Sequence, residues 1–140
     1  MSDEQIAFLK CDSFAVAGAS NNREKYGNKV FRALQEFTAD DERSVYPIHP
    51  ALDTVEGITA FANITALPSP ASGQQQALSI ITPPAVTLKI VEDAIAAGIQ
   101  HIWMQPGAEH PDAIEAATAA RINVLANGPC ILVALKVLDL

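Results

Sequence analysis

Short apolar runs closed by glycine or proline alternate with longer segments of helical periodicity along most of the sequence. Ser13-Phe14-Ala15-Val16-Ala17 ends in Gly18 and reads as a strand followed by a tight turn. Tyr26 to about Phe37 places Val30, Phe31, Leu34 and Phe37 on one helical face. Ser44 to Ile48 predicts a second strand, whose internal Pro47 suits a strand end or a sheet edge. Ala77 to Ile81 reads as a buried strand ended by Thr82-Pro83-Pro84. Ala85 to Ala97 carries Leu88, Val91 and Ile95 at helical spacing and stops at Gly98, a C′ glycine. Gln100 to Met104 predicts another strand, Glu109 to Ala120 an alanine-rich helix, and Ile122 to Ala126 the last clear strand.

Two regions are less patterned. Gly57-Ile58-Thr59-Ala60-Phe61 fits either a short strand or a loop, and Pro68-Ser69-Pro70 and Ser72-Gly73 punctuate the chain before the Ala77 strand. The tail Cys130 to Leu140 is apolar enough to pack on the body, as helix or strand. Strand–helix alternation implies right-handed crossovers and a parallel sheet covered on both faces. The expected fold is therefore α/β: a Rossmann-like, doubly wound parallel sheet of about five to six strands. Residues 1–140 are expected to form one domain, with its core at about 13–133. The apolar content, 49% and carried by Ala, Ile, Val and Leu, suits helices on a buried parallel sheet.

Charge narrows the partners. The formal net charge of −7 argues against a general nucleic-acid or anionic-membrane partner. It leaves room for a local basic site, and Arg23, Lys25, Lys29 and Arg32 cluster within ten residues. The acidic start, Met1 to Gln5, does not read as a secretory signal, and no apolar run approaches the roughly 18 residues of a membrane helix. A cytoplasmic location is expected. Cys11 and Cys130 form neither a disulfide framework nor a zinc motif, and no metal site is expected.

Sheets of this kind bind ligands beyond the carboxyl ends of their strands, so chemistry is to be sought in the turns after them. The first, Gly18-Ala19-Ser20-Asn21-Asn22-Arg23-Glu24-Lys25-Tyr26-Gly27, opens a helix. Unpaired amides and the dipole at a helix start favour an anion. Ser20 and Asn21 add donors, Arg23 and Lys25 add charge, and Gly18 permits close approach of backbone to ligand. The turn alone suits an ordinary loop with solvated charges equally well. As a dinucleotide fingerprint it is poor, since Ser20 and Arg23 fill the second and third glycine positions. An NAD site also wants an acid after the second strand, and Asp53 is the nearest beyond His49-Pro50. Thr82-Pro83-Pro84, Gln105-Pro106-Gly107 and Asn127-Gly128-Pro129-Cys130 are the later turns, each also readable as a simple helix start or tight turn.

Taken in order, Gly18-Ala19-Ser20, Thr82-Pro83-Pro84, Trp103-Met104-Gln105-Pro106-Gly107 and Gly128-Pro129-Cys130 resemble the CoA-binding domain family. These are small domains similar to the N-terminal domain of the succinyl-CoA synthetase α subunit. The likeness runs from about Ser13 to Val133. It implies a site for coenzyme A or an acyl-CoA, with NAD(P) as the alternative ligand of the same fold. By the resemblance, the Gly18-to-Ser20 turn with Arg23 and Lys25 would hold phosphates, and Asn21, Tyr26 and Gly27 would belong to the same cofactor-binding set. Thr82, Pro83, Pro84 and Val86 would line the adenosine or pantetheine path, beside Gln105-Pro106-Gly107. His49-Pro50 stands where the family often has Asn-Pro followed by lysine; here Ala51 and Leu52 come next, which removes one phosphate contact.

No catalytic set is expected. The phosphorylated histidine and ATP-grasp partner of the synthetase lie outside the region this chain resembles. His49, His101 and His110 have no metal-ligand spacing and read as surface or capping histidines. Glu109 and Asp112 read as favourable charges in a first helical turn. Cys130 reads as a small buried apolar residue, or as a thiol that would attack the disulfide of oxidised coenzyme A and release one CoA thiol. The chain is expected to be a non-catalytic binding module for a small nucleotide ligand. A subunit role beside a separately encoded partner enzyme would use the Cys130–Leu140 surface; a homo-oligomer is the alternative assembly.

Overall fold

A computed structural model describes residues 1–138. In chain order the elements are α1 (Asp3–Leu9), β1 (Ser13–Ala17), α2 (Tyr26–Phe37), β2 (Ser44–Ile48), β3 (Thr54–Val55), β4 (Ile58–Thr59), β5 (Gln76–Ile80), α3 (Pro84–Ala97), β6 (His101–Met104), α4 (Pro111–Ala119), β7 (Asn123–Leu125) and α5 (Ile131–Leu138). A five-stranded sheet runs in the order β2-β1-β5-β6-β7, with every neighbouring pair parallel. The chain leaves β1 for β2 on one side, then crosses to β5 on the other. Strand order therefore reverses between β1 and β5, where Ala17 pairs with Ile80 and the Ile81 amide donates to Ala17 O at 2.9 Å.

The two-residue period of a strand splits its side chains between two layers. Phe14, Val16, Ala77 and Trp103 face α1, α2 and α5, meeting Phe8, Phe31, Leu34 and Ile131. Ala15, Ala17, Leu78, Ile80, Ile102 and Met104 face α3 and α4, meeting Val91, Ala94, Ala113 and Ala117. Each fully buried Phe, Leu or Ile in these layers contributes about 1.5–3 kcal/mol. Alanines on α4 bring that helix close to the sheet. Trp103 sits edge-on to Phe8, with ring centroids 5.3 Å apart, and its Nε1 donates to Pro129 O at 3.3 Å.

Several expectations need correction. Helix α1 was not anticipated, although Ser2 Oγ accepts the Gln5 amide and Gln5 Oε1 accepts the Ser2 amide, both at 3.1 Å. That reciprocal pair is legible as Ser-x-x-Gln. Residues 57–61 split between strand and loop: Ile58–Thr59 pairs antiparallel with Thr54–Val55, while Phe61 lies outside both strands and makes an isolated parallel bridge to Ile48. Pro47 does fall in an edge strand, and its carbonyl accepts the Phe61 amide at 2.9 Å. The tail is a helix as far as Leu138; its last residues, 139 and 140, lie outside the described residues. Helix α4 begins at Pro111, so Glu109 precedes it and accepts the Gly107 amide at 2.8 Å instead. Asp112 does occupy the first turn.

His101 is neither a surface nor a capping residue but is buried in β6. Asn123 Nδ2 donates to Glu4 O, which marks it as the amide nitrogen, and it lies 3.0 Å from His101 Nδ1. Nδ1 is thus the acceptor, and Nε2 carries the proton towards Gln75 Oε1 at 2.8 Å. His110 caps α4 by accepting the Asp112 amide at 3.0 Å.

Candidate functional site

The reversal of strand order opens a cleft of about 890 Å³ over the carboxyl ends of β1, β2 and β5. Its lining includes Gly18, Ala19 and Ser20 after β1, Lys25, Tyr26 and Gly27 at the start of α2, and Ile48, His49 and Pro50 after β2. Ile81, Thr82 and Pro83 after β5 form the facing side.

Two glycines make this geometry possible. Gly18 has φ +92°, and a Cβ there would stand 2.9 Å from the Ile81 carbonyl oxygen. A Cβ on Gly27 would fall on the Gly18 carbonyl oxygen, well inside van der Waals contact. The start of α2 is therefore pressed against the end of β1. Lys25 is the N-cap of α2 and places no side-chain oxygen on the first-turn amides. Among the described residues, the amides of Ala19, Ser20, Tyr26 and Gly27 have no acceptor within the chain. These residues line the cleft together with Lys25, an arrangement suited to an anion.

The middle of the same turn faces elsewhere. Asn21 Nδ2 donates to Thr54 O and Asn21 Oδ1 accepts the Glu56 amide, each at 2.9 Å. Arg23 pairs with Glu56 at 2.6 Å, which holds the Glu56 carboxyl below its usual range. Asn28, buried in α2, donates to Ser20 O at 2.8 Å and to the same Glu56 carboxylate at 3.2 Å. The β3–β4 hairpin thus braces the turn. Asn21 and Arg23, expected at the ligand, do not line the cleft.

Thr82, Pro83 and Val86 line it, and Pro84 does not. The Thr82 and Thr87 hydroxyls lie 2.9 Å apart, tying the turn to α3. His49 Nδ1 accepts the amides of Ala51 and Leu52 at 3.0 and 3.1 Å, so its Nε2 carries the proton. Gln105, Pro106 and Gly107 are not in the lining. Gln105 is buried on the far side of β5, donating to Ser79 Oγ at 3.1 Å and accepting the Ile131 amide at 2.8 Å. Tyr26 donates to the same Gln105 Oε1 at 3.3 Å, and burial pushes its phenol upward. Cys130, half-buried before α5, is not in the lining either.

Sequence reasoning missed Asn63 and Thr65 of a short 3₁₀ turn, and Lys89, Ile90 and Asp93 of α3. The second group was within reach. Residues 86, 89, 90 and 93 share one helical face, so Val86 at the cleft implies the rest. Among the described residues, Lys25 and Lys89 are the cationic side chains of the cleft and Asp93 its anionic one. No group of three metal-ligating side chains occurs among the described residues, and no helix there is long and apolar enough to cross a membrane.

A family model described as "CoA binding domain" matches residues 12–136. No curated protein matches the sequence. Solved structures do. A conserved hypothetical protein from Pyrococcus furiosus is 29% identical, with a TM-score of 0.75, over 87% of this chain and 97% of that one. A Thermus thermophilus protein is 27% identical, with a TM-score of 0.81, over 99% of each chain. An acetyl-coenzyme A synthetase from Ca. Korarchaeum cryptofilum is 24% identical, with a TM-score of 0.69. It shares the fold over 91% of this chain, which spans 28% of its length.

Proposed function

The chain belongs to the CoA-binding domain family, and on that premise we propose that it binds coenzyme A or an acyl-CoA by the phosphates, without turning it over. One observation carries the reading: unpaired amides after β1 and at the start of α2 meet Lys25 where strand order reverses. A diphosphate set there gains backbone N–H donors, the positive end of α2 and one ammonium. Ile48, Ile81, Val86 and Ile90 offer apolar wall for the adenine or the pantetheine arm. His49 Nε2 supplies a donor at the β2 end. Gly18, Ala19, Ser20, Gly27, Pro50, Thr82 and Pro83 complete the candidate set, and Tyr26 joins it from α2.

The NAD(P) alternative gains nothing here, because Asp53, the acid nearest the end of β2, does not line the cleft. The acetyl-coenzyme A synthetase contains this fold, but this chain spans 28% of it, so its ligation chemistry is not carried over. A carrier, a sensor or a partner of an acyl-CoA enzyme fits a module of this kind.

Calorimetric titration of one preparation with CoA, acetyl-CoA, NAD and NADP tests the reading. Heat with CoA and none with NAD is expected. Saturable heat with NAD and none with either CoA species would reverse the assignment.

A further inference from the structure

We propose that Lys89 is a second, separate anion contact that lets the cleft distinguish a ribose-phosphorylated ligand from its dephosphorylated form. This rests on the reading of the cleft as a CoA site. The cleft's two ammonium groups belong to different elements on opposite sides of the strand reversal. Lys25 caps α2 beside the unpaired amides, next to β1. Lys89 stands in the second turn of α3, which follows β5. Coenzyme A likewise carries two separated anions, a diphosphate bridge and a 3′-phosphate on the ribose. With the diphosphate at the α2 start, the 3′-phosphate needs its own cation, and Lys89 is the one the cleft offers.

Lys89 also has a resident anion to leave. Its Nζ donates to Asp93 Oδ1 at 2.7 Å, one helical turn on, and its side chain is 73% exposed. Exposed pairs of this spacing contribute little. A phosphate monoester, more highly charged and with three acceptor oxygens, displaces the single carboxylate readily. Asp93 then becomes an opposing charge beside the phosphate. The pair therefore occupies Lys89 only weakly in the free protein, and Asp93 weakens the bound state slightly.

CoA and dephospho-CoA, which lacks only the 3′-phosphate, are the probes. In calorimetric titrations the Lys89→Gln variant binds CoA about fivefold more weakly than wild type. Dephospho-CoA, with nothing to offer the ammonium, titrates alike in both. Asp93→Asn tightens CoA roughly two- to threefold and leaves dephospho-CoA unmoved. Lys25→Gln weakens both ligands by the same factor. An equal loss on both ligands in Lys89→Gln, or no loss on either, overturns the role given to Lys89 and leaves the CoA site standing. Failure of wild type to bind either ligand sinks the CoA reading itself, and this inference with it.

Discussion

At the scale of single residues, burial separates two chemically identical thiols. Cys11 is 2% exposed, and burial with the neighbouring Asp12 charge pushes its pKa up to about 12. Cys130 is less enclosed. Burial is the largest single influence and raises it, but the Tyr26 hydroxyl, shared with Gln105 Oε1, and the amides at the start of α5 together outweigh this and leave it below its ordinary 9.0. The thiolate is the reactive form. Iodoacetamide at pH 8 should therefore label Cys130 well before Cys11; peptide mass mapping that finds Cys11 modified first would contradict the geometry. His101 makes a pH-dependent case. Burial lowers its pKa below the ordinary 6.5, so the unfolded chain takes up a proton more readily than the folded one. The stability due to neutral His101 is complete above pH 6.5 and declines as pH falls from there through the lower folded value. Urea midpoints should drop between pH 7.5 and 5.5 in wild type and drop less in His101→Gln. Parallel losses in the two would assign the slope to other groups.

At the scale of elements, everything the cleft offers depends on how closely α2 approaches β1. Gly27→Ala forces the helix start off the Gly18 carbonyl. Overpacking against backbone should cost about 1–3 kcal/mol of stability, read as a lower urea midpoint. It should also weaken CoA by more than any single lysine replacement, because the first-turn amides move as a group. A variant of normal stability and normal affinity would show that the contact does not set the cleft. The pattern of the sequence conveyed this architecture unevenly. Helices α2 and α3 and the central strands were legible because their apolar spacing repeats over whole turns or fills a buried run. The β3–β4 hairpin was not, since two-residue strands carry no period, and in its Glu56-Gly57 turn only the second of the two positive-φ positions is a glycine. The same hairpin explains the misplacement of Asn21 and Arg23. Their partners, Thr54 and Glu56, are over thirty residues away, and local charge patterning cannot reveal a distant carboxylate. Gly18 and Thr82 were legible as cleft residues because strand ends determine where they fall, and Lys25 because it opens the helix after the first strand.

At the scale of the whole molecule, an acidic protein is being asked to hold a polyanion. On the proposed reading, the net charge of −7 would repel coenzyme A at long range, while Lys25, Lys89 and the unpaired amides would attract it at contact. Salt decides between the two fields. Near 0.1 M the screening length is about 10 Å, so most of the distant acidic surface is already muted and the contact groups are not. Wild-type affinity for CoA should therefore fall as salt rises from 0.1 to 0.5 M, against the trend that net charge alone would give. Lys25→Glu should bind about tenfold or more weakly at low salt, with a flattened or inverted salt slope. Thermal unfolding gives an independent readout, because a ligand that binds only the folded state stabilises it by mass action. At one hundred times the dissociation constant that is about 2.7 kcal/mol, or a rise in Tm of roughly 5–10 °C for a chain of this size. The rise should be largest at low salt and, for a tenfold loss of affinity, about halved in Lys25→Glu at the same ligand concentration. If CoA raised the Tm of both proteins equally at every salt concentration, its phosphates would not be at the start of α2.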